Sequence, residues 1–142
     1  MKNGLFLSML LVFVVASSGI AAPVNMQEGN WEIETSMKIE NVPFPIPPTK
    51  MTHCYTKKDL EDSSKTRPAA EGSGKKSSCD VKDVKETGSS ASWKFVCKDG
   101  TSGSGEATYK GTSYSMIMKM NDKGGKGTST TNIKARRIGD CK

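Results

Sequence analysis

Three methionines alternate with other residues in Tyr114-Ser115-Met116-Ile117-Met118-Lys119-Met120. On a strand, Met116, Met118 and Met120 point to one side. Met51 and His53 likewise share one side of an earlier extended segment. Thioethers with an imidazole are soft ligands that suit Cu(I) or Ag(I). These five residues therefore form a candidate soft-metal site. The plainer reading is packing, because methionine fills irregular cores well and a thin sheet must bury some face. The sequence does not fix whether the two segments adjoin.

Other chemistry is sparse. His53 is the single histidine, and no serine sits in a G-x-S-x-G turn that would expose a nucleophile. A serine triad also needs an acid to orient its base, and none is apparent beside His53. Glu32 and Glu34 fall on the outward side of an alternating segment, where solvated acids are ordinary. No catalytic residue is assigned and no cofactor is expected; an unrecognised hydrolase is the remote alternative. Four cysteines occur, Cys54, Cys79, Cys97 and Cys141. The nearest two are 18 positions apart, unlike the close C-x-x-C pairs of zinc and thioredoxin-like sites. An even count in an exported chain reads as two disulfides.

Export is read from the first residues. Met1-Lys2 is followed by the apolar run Gly4 to Ala16, then by the small residues Ser17 to Ala22. This is the layout of a secretory signal peptide, with cleavage after Ala21. The apolar run is shorter than the roughly 20 residues a spanning helix wants. The expected organisation is therefore a signal peptide over 1–21 and one mature domain over 22–142. That domain is glycine-rich with few aromatics, so its core is thin and covalent staples matter. The formal charge is +6, with lysines scattered among acids. Such a surface is mostly solvated, but it can also touch anionic lipid headgroups or acidic glycans. No base-stacking motif appears, so nucleic acid is not expected as a partner.

The elements that position these residues read as strands. Trp31 to Glu40 alternates apolar and polar with a period of two, the mark of a half-buried strand. Val42-Pro43-Phe44-Pro45-Ile46-Pro47-Pro48 follows, and its prolines forbid helix. This stiff loop presents Phe44 and Ile46, either to a partner or folded back over an open end of the sheet. Thr49 to Tyr55 reads as a second strand. Thr56 with Asp59 three residues on predicts a capped short helix anchored by Leu60. Asp62 to Ser78 lacks apolar periodicity and reads as a mobile polar loop. Further strands are expected over 79–85, 91–98, 106–110, 112–121 and 128–138, with Asp99 to Gly105 as a glycine-rich connection.

The fold expected is all-β: one small antiparallel meander, with curling to a half-barrel as an alternative, one short helix and two disulfides. Folding the hairpin about Gly88-Ser89 brings Cys79 opposite Cys97, leaving Cys54 to pair with Cys141. In the loop-entropy model the longer closure contributes roughly 4 to 5 kcal/mol and the shorter about 3 kcal/mol.

Several blocks, in order, also resemble a known family. They are Glu28-Gly29-Asn30-Trp31-Glu32, His53-Cys54-Tyr55-Thr56 leading into Lys58-Asp59-Leu60, Ser78-Cys79, Trp93 to Cys97, Tyr109-Lys110-Gly111, and Ala135 to Cys141. Together they resemble the bacterial domain of unknown function 3617 family, over essentially the whole mature chain. The resemblance implies an exported, periplasmic protein and carries no catalytic residues. The reading that results is a monomeric, non-catalytic envelope module that binds a protein, lipid or glycan, with soft-metal binding as the alternative.

Overall fold

The computed structural model describes residues 24–66, 79–124 and 127–142. The expected signal peptide and residues 67–78 of the expected polar loop lie outside this range.

Seven strands form one antiparallel sheet: β1 (Gly29–Ile39), β2 (Thr49–Tyr55), β3 (Cys79–Glu86), β4 (Ser90–Cys97), β5 (Ser102–Tyr109), β6 (Ser113–Asn121) and β7 (Thr128–Gly139). Their order is β2-β1-β7-β6-β5-β4-β3. The run β3 to β7 is a meander, and β7 then pairs with the earlier strand β1. The sheet is open, with β2 and β3 as its edges. One face is apolar because the alternation stays in register from strand to strand. Ile33 lies opposite Ala135, which lies opposite Tyr114; Ile133 lies opposite Met116, and Met116 opposite Ala107. Trp31, Phe95, Tyr109 and Met116 are the largest fully buried side chains.

The fourth and fifth strands differ from the sequence expectation in one place. Residues 102–105 belong to β5 rather than to a connection. The cause lies across the strand pair. Gly105 is paired with Trp93 and Gly103 with Phe95. A Cβ at either glycine would run into the facing ring. Glycine here makes room for an aromatic ring over the strand rather than marking a turn.

The expected short helix is α1 (Lys57–Glu61). Thr56 Oγ1 accepts from the Asp59 amide at 3.2 Å, and the Thr56 amide donates to Asp59 Oδ2 at 3.0 Å. Leu60 is buried and joins the core. A second single turn, α2 (Ser63–Thr66), stands where the sequence reads as loop. It is held by Lys65 Nζ, which donates to Asp59 Oδ1 at 2.6 Å, and by burial of Thr66.

Both disulfides form as expected, Cys54–Cys141 and Cys79–Cys97. Cys79 and Cys97 are direct cross-strand partners at the β3–β4 edge. Cys54–Cys141 ties the chain end to the outer strand β2. Among the described residues, no helix is long and apolar enough to cross a membrane.

Candidate binding surface

The methionine stripe and the Pro-rich loop meet different fates. Met116 and Met118 are buried in the core, and Met120 packs against it half-buried. Their cross-strand neighbours are Ala107 and Ile133 for Met116, and Gly105 and Thr131 for Met118. Met51 and His53 sit exposed on β2, paired with Ile33 and Trp31. They lie on the same face as the stripe, but β1 and β7 stand between. Three strand spacings amount to roughly 14 Å along the sheet. The sheet thus places the five soft ligands on one face without bringing them together. The apolar environment of Met116 and Met118 is that of side chains filling a core.

His53 instead joins an aromatic cluster. Its ring lies 4.5 Å from that of Tyr55, centroid to centroid, edge on. Tyr55 and Tyr114 flank Trp31 at 6.2 and 5.6 Å. The two phenol oxygens are 3.3 Å apart and buried. Burial pushes both hydroxyls above the usual phenol range, Tyr114 the further. Both rings are therefore neutral at ordinary pH, and the pair acts as a structural bond. Trp31 Nε1 donates to the Gln27 carbonyl at 3.1 Å, so the deepest indole is satisfied.

The Pro-rich loop between β1 and β2 is built differently. Asn41 turns the chain out of β1 with φ of 65°. This is the left-handed region that asparagine tolerates better than most residues. The prolines then stiffen residues 43–48, which form neither helix nor strand. Phe44 is left 77% exposed, with Val42 and Ile46 also exposed. Beneath the loop lies a cleft of about 390 Å³, lined by Met37, Ile39, Val42, Phe44 and Ile46 among others. Lys38 is the one charged residue on its wall. Phe44 and Ile46 are the residues singled out from sequence. Met37, Ile39 and Val42 were not, because Met37 and Ile39 continue the alternation of β1 and read as ordinary core. The available signal was their place at the strand's end, where β1 outruns the covering core.

Among the described residues no three His, Cys, Asp or Glu side chains gather in a manner able to hold a metal ion. The acids Glu32 and Glu34 face outward, as expected, and bond to Arg136 and Lys50 at 2.9 and 3.2 Å.

The family model described as "Protein of unknown function (DUF3617)" matches residues 26–141. The chain belongs to this family. The match begins at Met26, in the segment that caps the sheet, and ends at Cys141, in the disulfide that closes it. The DUF3617 domain is therefore the whole described fold, loop and cleft included. No curated protein and no solved structure shows significant similarity to the chain.

Proposed function

We propose that this DUF3617 protein is an exported, non-catalytic binding module of the bacterial envelope. Its cleft under the β1–β2 loop takes an apolar segment of a partner protein. The observation that carries this is Phe44, left 77% exposed on a proline-stiffened loop above an apolar cleft. A stiff loop loses little conformational entropy when it is covered, so its apolar contacts count towards affinity. Large exposed aromatics grouped with other apolar side chains mark interaction sites on small proteins. Export is supported by the apolar leader-like run and by cysteines that are all paired, a state that persists in oxidising compartments.

The test is in-cell photo-crosslinking from a photoreactive residue at position 44 or 46, with a control on the outer face of β7. A defined crosslinked protein at the loop, absent from the control and lost on Val42→Ser with Ile39→Ser, is expected. Crosslinks equal at loop and control would sink the assignment. Fractionation of the same cells decides export, since the mature mass must lack residues 1–21 and four cysteine hydrogens.

A further inference from the structure

The outward face of the sheet divides into two kinds of charge. Toward the start of β1, acids and bases are paired: Glu32 with Arg136 and Glu34 with Lys50. Toward its end, one transverse row runs across six strands in register. Lys38 lies opposite Thr130, Thr130 opposite Lys119, Lys119 opposite Ser104, Ser104 opposite Lys94, and Lys94 opposite Lys82. All four lysines are exposed, and the two hydroxyl residues between them are half-buried. Among the described residues Lys38, Lys82 and Lys119 make no ion pair, and Lys94 meets Asp83 at 3.1 Å in a solvent-exposed contact. Such a contact is screened and readily exchanged. The other acids near the row are Asp80, two residues from Lys82 on the same face, Glu106, two residues from Ser104, and the exposed Glu40, two residues from Lys38.

We infer that this row binds a linear acidic polysaccharide of the uronate type, laid across the strands. Three properties favour that ligand. The lysines recur at one or two strand spacings, roughly 5 or 10 Å apart. A chain of uronic acid units offers carboxylates at comparable intervals. Thr130 and Ser104 stand between the cations, where sugar hydroxyls need hydrogen-bond partners. The sheet also twists by roughly 20 to 25° at each strand, so the lysine tips follow an arc. A flexible polymer can follow an arc, whereas a flat bilayer meets only part of it. No aromatic side chain alternates onto the row, which disfavours a single-stranded nucleic acid, whose bases need stacking platforms. A groove of about 500 Å³ beside the β3 bulge is lined by Lys85, Lys94, Ser92 and Ser104 together with the acids Asp83 and Glu106, so the row's cations, not this groove, carry the attraction. This surface is separate from the cleft under the Pro-rich loop, although Lys38 borders both.

The experiment titrates labelled alginate oligomers into the oxidised protein and follows their anisotropy at low and moderate salt. Binding that weakens with salt is expected. The Lys82→Gln, Lys94→Gln, Lys119→Gln variant should bind about tenfold more weakly, three exposed contacts each contributing a factor of two or so. A variant of equal charge, Lys57→Gln, Lys58→Gln, Lys134→Gln, should lose less than about twofold by the same reckoning. Phe44→Ser should leave alginate affinity unchanged, which keeps this outcome distinct from the fate of the loop proposal. Equal losses in the two lysine variants would overturn the inference. So would failure to bind alginate, whether or not phosphatidylglycerol vesicles or oligo-dT are bound.

Discussion

The two ends of the sheet are finished in opposite ways. At one end Val24 and Met26 are buried, and the segment they flank bonds to the tight turns. The Gly111 amide donates to Asn25 O at 2.8 Å, and the Gln27 amide to Gly111 O at 2.9 Å. Tyr55, Leu60 and the Cys54–Cys141 bridge complete that closure, and Arg137 Nε donates to Glu28 O at 2.7 Å. At the other end the Pro-rich loop leaves Val42, Phe44 and Ile46 in solvent. One end uses apolar side chains and the Cys54–Cys141 staple to complete a thin core, whereas Cys79–Cys97 joins edge strand β3 to β4 at the opposite end. The other leaves apolar side chains uncovered on stiff backbone. A domain with little core to spare gains nothing in stability from Phe44 as it stands, which supports the proposal that the second end serves recognition.

The largest effect separates the two staples. Cys54–Cys141 closes 87 residues and Cys79–Cys97 closes 18. Replacing Cys54 and Cys141 by Ser should cost roughly 4 to 5 kcal/mol, against about 3 kcal/mol for Cys79 and Cys97. Urea unfolding of both double variants measures this. A larger loss from the Cys79 and Cys97 pair would show that the closed end does not dominate stability.

Next comes the buried phenol pair of the closed end. The folded state holds Tyr55 and Tyr114 above the value of a free phenol, chiefly by burial. Their contribution is then fully present below about pH 10, the unfolded value, and falls as pH rises beyond it. The loss approaches about 1.4 kcal/mol per pH unit for each phenol that ionises only on unfolding. Stability measured from pH 9 to 11 should drop, and the Tyr55→Phe, Tyr114→Phe variant should drop less steeply. Equal slopes would place the alkaline sensitivity elsewhere.

Much of this architecture was legible in the residues, for identifiable reasons. Period-two alternation located β1, and the Thr56–Asp59 pair located α1, because each is set by neighbours in sequence. The disulfide pairing followed from a single hairpin. What escaped depended on partners outside the immediate sequence neighbourhood, some on other strands and one a helical turn or more away. Gly103 and Gly105 read as a connection because Trp93 and Phe95, the rings they accommodate, are supplied by another strand. The turn at Ser63–Thr66 rests on a contact from Lys65 back to Asp59 that no local propensity announces. Met116 and Met118 read more plainly as core than as ligands, and Ala107, Ile133 and Thr131 beside them agree with the packing reading. The lysine row is invisible in sequence, since its members come from four strands and only register aligns them.

The smallest effects test the division between the ends most directly. Thr56→Ala removes the hydroxyl that caps α1, and loss of such a cap costs about 1 kcal/mol. Asp59 completes that cap and is held below the usual carboxylate range by Lys65, then by the Thr56 hydroxyl and amide. Its share is therefore present at neutral pH and fades only below about pH 4, as the carboxylate takes up a proton. Phe44→Ser, at the other end, removes a far larger apolar side chain. It should nonetheless change stability by less than about 0.5 kcal/mol, as substitutions of exposed side chains usually do. Thermal melts of the two variants side by side give the comparison. If Phe44→Ser costs more than Thr56→Ala, the loop covers the sheet as part of the fold, and its claim to be a binding surface fails with that result.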